Sequence, residues 1–202
     1  MVSKERLGGF IDGIVAVIMT IMLLEFRLPA TGLIGDFFKE NLVYLVAYGL
    51  SFIYVITSWF NQQYMLMHAT HITRKIYFSC MLWVLSLSLL PVLAAWTGRT
   101  INIFHDLGRH SPQAPALLFL AMIFLWGVSY AHMANAFIAD NPKEKAEIIQ
   151  KMEVYQYLRH PIWRISMILA FIITFFYPPF VFIYTAGEMT FAVLRSRNQT
   201  FL

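Results

Sequence analysis

Residues 6–29 read RLGGFIDGIVAVIMTIMLLEFRLP, and the reading of this stretch decides the class of the molecule. A cation, Arg6, and a carboxylate, Asp12, precede an uncharged run from Gly13 to Leu24, and Glu25, Arg27 and Pro29 close the segment. A helix that crosses a bilayer needs roughly 20 mostly apolar residues, and this run supplies them. Asp12 therefore stands at the start of a helix built for lipid. An unpaired carboxylate there costs about several kcal/mol, so Asp12 is expected to point into protein, where the N-terminal end of the helix dipole also favours it. Two uses stay open: an anchor hydrogen-bonded to neighbouring helices, or a group that handles ions or protons directly.

The rest of the chain agrees with a membrane. Of 202 residues, 59% are hydrophobic and 13% charged, against about a quarter charged in an ordinary soluble domain. Mean hydropathy is +0.63. The net charge of +4 does not indicate nucleic acid, because the basic residues lie between apolar runs rather than on one solvated face. The single cysteine, Cys80, excludes an intrachain disulfide and reads as a small buried hydrophobe. The first apolar run is too long for a signal peptide and lacks an A-x-A-like cleavage site, so it is expected to be a retained helix. LPATG at 28–32 resembles a sortase signal, but such signals lie near a C-terminus.

Six apolar spans are expected, at about 7–28, 42–65, 76–96, 114–136, 162–176 and 180–194. The fold class is all-α: a polytopic membrane protein of one six-helix domain over 1–202. Tyr177-Pro178-Pro179 must be a tight turn, since neither proline can continue a helix that needs its backbone donors. With the N-terminus inside, the inner segments hold eleven of the fifteen lysines and arginines. That asymmetry places both termini in the cytoplasm. The count includes Arg195 and Arg197, and it puts the glycosylation-like Asn198-Gln199-Thr200 on the cytoplasmic side as well. Residues 140–157 mix acids and bases behind Asn141-Pro142, and read as a cytoplasmic connector, a short helix or a helical extension.

Catalytic chemistry is missing. No Walker loop, HExxH, GxSxG or paired cysteines occur, so the chain is not read as an enzyme. No cofactor is implied. His68 with His71, and His105 with His110, read as interfacial or loop histidines rather than metal ligands, with no acid or cysteine at a useful spacing. No carbonyl-lined TVGYG-like filter is present either.

At 100° per residue, Gly9, Gly13, Ala16 and Thr20 form one stripe of small residues on the first helix. Such stripes let helix backbones approach closely in lipid. Beside it lies a branched stripe of Val17, Ile21 and Leu24. Asp12 falls about 140° from Val17, so a helix that shows the branched stripe to one partner shows Asp12 to another. Glu25 sits at the outer end, where the dipole disfavours negative charge. It needs a cation such as Arg27, unless it belongs to an acidic outer vestibule that concentrates cations. Glu188, in the sixth span, is the least expected acid, and His132 is its expected partner, with a proton-linked role as the sharper possibility.

Arg6-x-x-x-Phe10-x-Asp12, the apolar run, and Leu24-Glu25-Phe26-Arg27-Leu28-Pro29 together resemble the first helix of the transmembrane protein 175 family. The family signature reads R-x-x-x-F-S-D, and Ile11 stands here in place of the serine. Tyr48, Ser51, Phe52 and Trp59, then Ser88-Leu89-Leu90-Pro91 and Thr97-Gly98, extend the resemblance. Gln62-Gln63 replace histidines that many members carry. These are potassium channels of lysosomes and prokaryotes. The resemblance implies a homotetramer in a prokaryotic plasma membrane, with the first helix of each subunit lining a central pore. It places the pore constriction on Val17, Ile21 and Leu24, with Thr20 as the pore hydroxyl. Arg6, Phe10 and Asp12 become the signature that holds the helix, and Glu25 an outer-vestibule residue. Monovalent cations, potassium above all, would be the permeating species, and the partners would be the bilayer and further copies of the chain, with no nucleic acid.

The alternative is a secondary or proton-coupled transporter. Transporters often carry inverted repeats and helices broken by Gly or Pro. Neither is evident here, with Pro91 the one proline well inside a span.

Overall fold

The computed structural model describes residues 3–196; Arg197 and the sequence Asn198-Gln199-Thr200 lie outside them. Among the described residues the chain forms nine α-helices and one 3-10 turn: α1 (Lys4–Leu24), α2 (Ile34–His68), α3 (Arg74–Ser88), α4 (Leu90–Thr100), the turn Asp106–Gly108, α5 (Gln113–Ala139), α6 (Lys143–Gln150), α7 (Glu153–Arg159), α8 (Pro161–Phe176) and α9 (Phe180–Ser196). The expected all-helical architecture, with several apolar helices, is what forms.

Local chemistry sets the boundaries. Ser3 caps α1, its hydroxyl accepting from the Arg6 amide at 3.2 Å. Thr73 caps α3 in the same way through the Ile76 amide. Pro161 occupies the first turn of α8, where its missing N–H costs nothing. Tyr177-Pro178-Pro179 form the turn between α8 and α9, closed by the Phe180 amide donating to the Tyr177 carbonyl at 3.0 Å. The third apolar run is broken once, at Leu89, and Pro91 lies in the first turn of α4.

Among the described residues, four segments are long and apolar enough to cross a bilayer: α1, α2, the α3–α4 unit and α5. A fifth passes if α7 and α8, bent by 66° at His160-Pro161, count as one broken span. The helices α8 and α9 have 16 and 17 residues. At 1.5 Å per residue they reach about 24 and 26 Å, short of a hydrocarbon core about 30 Å thick. The connector is two helices rather than one, α6 and α7, meeting at Lys151-Met152.

Hydrogen bonds gather the loops at two ends of the bundle. At one end Lys4 Nζ donates to the carbonyls of Met67 (2.7 Å) and Ala69 (3.2 Å). There Thr70 donates to Asn141, and Arg195 pairs with Glu153 at 2.7 Å. At the other end Arg99 pairs with Glu25, and the Tyr177 hydroxyl donates to the Leu107 carbonyl at 3.1 Å. Between the ends lies one apolar core centred on α5 and the inner faces of α1 to α4, with Trp83, Tyr54, Tyr130, Phe119 and Phe137 fully buried. The α2–α4 seam is especially tight. A side chain at Gly98 would meet the Tyr44 Cα at 2.8 Å, so only glycine lets these backbones approach.

Candidate functional site: the faces of the first helix

The helix α1 is two-sided. Leu7, Ile11, Val15, Ile18 and Met22 are buried against the rest of the chain. Their spacing repeats every three to four residues, which is one helical face. On the other side Val17 is 53% exposed, Ile21 42% and Leu24 82%. Gly9 and Gly13 face open space: a methyl added to either would find no atom within 4 Å. The branched stripe and the small stripe thus lie together on the surface that one chain leaves uncovered. Between this surface and the α3–α4 break runs an apolar groove of about 530 Å³, lined by Gly13, Val17 and Ile21 on one side and Ser88, Pro91 and Val92 on the other.

Polar groups fix α1 along its length. Asp12 Oδ1 accepts from Trp59 Nε1 at 2.7 Å and from Gln63 Nε2 at 2.6 Å. Both donors stand on α2, one turn apart. Both donors share one carboxylate oxygen, so this bifurcated contact ties the N-terminal half of α1 to α2. Lys4 adds a second tie where α2 ends, to the Met67 carbonyl in its last turn and to the carbonyl of its C-cap, Ala69. The side chain of Arg6 is exposed and makes no ion pair among the described residues, and Phe10 is 50% exposed.

Thr20 donates to the Val17 carbonyl at 3.0 Å. That uses its proton and leaves its oxygen lone pairs free to accept. At the C-terminal end of α1 Glu25 is paired with Arg99 on α4 at 3.0 Å, not with Arg27. Arg99 also donates to the Glu25 carbonyl, so one guanidinium answers both the carboxylate and the exposed end of the α1 dipole. Arg27 is held instead through its backbone, exchanging hydrogen bonds with the Asn41 side chain at 2.9 and 2.8 Å.

Elsewhere, Glu188 takes a hydrogen bond from the Tyr157 hydroxyl at 2.6 Å rather than from His132. A helix-to-helix bond thus links the connector to α9. Gln62, beside Gln63, is fully buried, and its amide makes no hydrogen bond among the described residues. His68 Nδ1 lies 2.8 Å from the Tyr64 carbonyl. His105 and His110 both approach Asp106, at 3.3 and 3.0 Å, the residue next to one and four positions from the other, so an acid does stand at a useful spacing. Among the described residues no three groups of metal-ligating type converge.

Apolar helices long enough to span a bilayer, and a first helix anchored by a carboxylate with one apolar face uncovered, are the marks of an all-helical integral membrane protein. The family model described as endosomal/lysosomal potassium channel TMEM175 matches residues 6–91, from α1 to the start of α4. A potassium channel of Chryseobacterium sp. (strain P1-3) is 28% identical over 179 residues, covering 87% of this chain and 85% of that one. The crystal structure of a lysosomal potassium-selective channel TMEM175 homolog from Chamaesiphon minutus superposes with a TM-score of 0.76 over 97% of this chain and 98% of that chain. At 16% identity that likeness speaks for the fold. All three likenesses are to TMEM175 proteins or potassium channels, and they make this chain similar to that family.

Proposed function

We propose that this chain is a potassium-permeable channel of a prokaryotic plasma membrane, conducting passively through a pore lined by α1 from four copies. The observation that carries the proposal is the uncovered face of α1: Val17, Ile21 and Leu24 lie exposed on a helix whose opposite face is buried and whose inner half is tied down by Asp12. Each subunit contributes six membrane passes. In support, the loops gather at two ends, with α8 and α9 as the short passes; the Lys/Arg asymmetry favours the Lys4 end as cytoplasmic.

Rings of these three side chains narrow the path, and hydrophobic constrictions gate by dewetting. Small rotations or outward shifts of α1 widen it. Thr20 lies between Val17 and Ile21 in sequence and offers an oxygen to a partly dehydrated cation. The Glu25 carboxylates stand at the outer mouth, but with Arg99 beside each the net charge there is small, so they attract cations less than a bare acidic ring.

Reconstitution in potassium- and sodium-loaded vesicles tests this. Passive flux that follows the electrochemical gradient is expected, with Leu24→Ala or Ile21→Ala raising conductance or weakening the preference between the two ions. Unchanged permeation in both variants removes the assigned pore face. Saturable exchange at modest turnover replaces the channel with a carrier.

A further inference from the structure

At the Lys4 end of the bundle, the junction of α6, α7 and α8 opens a cavity of about 790 Å³. Its lining includes Lys151, Tyr155, Arg159 and His160, together with Glu147 and Gln156. The cations here differ from the two arginines that pair with carboxylates. Arg99 and Arg195 are each neutralised by a glutamate, whereas Lys151 and Arg159 make no ion pair among the described residues. Glu147, one turn before Lys151, offsets part of the charge without pairing with it.

Arg159 is also held in place. Its Nη1 donates to the Tyr155 hydroxyl at 2.9 Å, and its guanidinium carbon lies 5.5 Å from the centre of the Tyr155 ring. The Tyr155 hydroxyl passes its own proton on to Asn135 at 2.6 Å. A planar, permanently charged fork is therefore positioned with most of its N–H groups unspent, the form of donor that suits a phosphate. His160 Nδ1 accepts from the Ile162 amide at 3.2 Å, so its remaining proton sits on Nε2.

Directly beyond His160-Pro161, α8 turns outward two isoleucines, Ile162 at 59% and Ile165 at 56% exposure. Uncompensated cations thus stand at the lip of an uncovered apolar helix face. We propose that this cavity binds the headgroup phosphate of an anionic phospholipid, with the acyl chains lying along Ile162 and Ile165. A free phosphate would engage the cations and leave the isoleucines unused. The proposal goes beyond the pore and rests on α8 being a lipid-facing helix.

Native mass spectrometry of the purified full chain tests it, with phosphatidylglycerol, phosphatidylcholine and inorganic phosphate as the probes. Phosphatidylglycerol should bind about ten-fold or more tightly than phosphatidylcholine, given what several basic groups near a surface contribute. Lys151→Gln should weaken it about five-fold, and Lys151→Gln with Arg159→Gln about twenty-fold. Replacing Arg74 and Lys75, an exposed basic pair outside the cavity, should change little. Lys151 is exposed, so its single variant keeps the test valid if the double variant fails to fold. Equal retention of the two lipids, or unaltered phosphatidylglycerol binding by Lys151→Gln, overturns the site. Displacement of the lipid by inorganic phosphate reassigns the cavity to a free anion and overturns the lipid. Potassium flux of Lys151→Gln in pure phosphatidylcholine vesicles should match that of the unaltered chain, so a failure of the pore would be seen separately.

Discussion

The α2–α4 seam and the outer face of α1 are made of the same kinds of residue, yet one is closed and the other open. At the seam, a methyl on Gly98 would collide with backbone, the Tyr44 Cα, at 2.8 Å. On α1, the same methyl on Gly13 would meet nothing within 4 Å. In lipid, apolar surface gains little by leaving lipid for protein, and association rests on close packing and hydrogen bonds. Small residues therefore mark places where something approaches, and hydropathy does not say what. At Gly98 the approaching helix belongs to the same chain. At Gly9 and Gly13 the partner, on the channel reading, belongs to another copy.

The sharpest way to test the seam is to fill it. Gly98→Val should destabilise the chain by about 3 kcal/mol, since overpacking against backbone cannot be relieved by a rotamer change. Thermal unfolding in detergent would show it, and a small change would mean the seam is looser than its distances indicate. Next in size is Asp12→Ala. It leaves Trp59 Nε1 and Gln63 Nε2 without their shared acceptor, a loss of about 1–3 kcal/mol. On the channel reading the expected damage is to assembly, seen as loss of the oligomer on size-exclusion chromatography. A well-formed oligomer with altered ion preference would instead give Asp12 a part in permeation. Smaller again is Arg99→Gln. The Glu25 pair is about one-third exposed, and pairs of that kind contribute about 1 kcal/mol or less. Raising salt to about 1 M should remove most of the difference from the unaltered chain by screening the pair.

These effects also mark what the sequence makes legible. The two stripes of α1 follow from helical periodicity, and so does the exclusion of Asp12 from the branched face. The partners do not follow. Trp59 and Gln63 lie 47 and 51 positions from Asp12, and Arg99 lies 74 from Glu25. Sequence proximity suggests Arg27 for Glu25, but Arg27 lies in the extended chain after the helix end, where its backbone is engaged by Asn41. Lys4 carries no marker at all, because its acceptors are ordinary carbonyls freed only by where α2 ends. His132 is the natural base to expect for Glu188, whereas burial among aromatic side chains gives that acid a tyrosine. The break at Leu89 is hidden because Pro91 at the start of a new helix and Pro91 inside one long helix look alike in a hydropathy scan.

The smallest expected change in stability is the most informative about function. Gly13→Ala meets open space in the single chain, and replacing glycine by alanine within a helix gains roughly 0.5–1 kcal/mol. The chain itself should be unharmed or slightly firmer in thermal unfolding. If the uncovered face of α1 lies against other copies around a pore, however, the added methyl stands where helices approach, and flux or the potassium–sodium preference should change although stability does not fall. If that face looks onto lipid, a methyl among acyl chains is invisible to both measurements. The pair Gly98→Val and Gly13→Ala thus separates packing within one chain from packing between chains. Normal flux in Gly13→Ala, together with normal flux in Leu24→Ala, would turn the open face of α1 away from the pore.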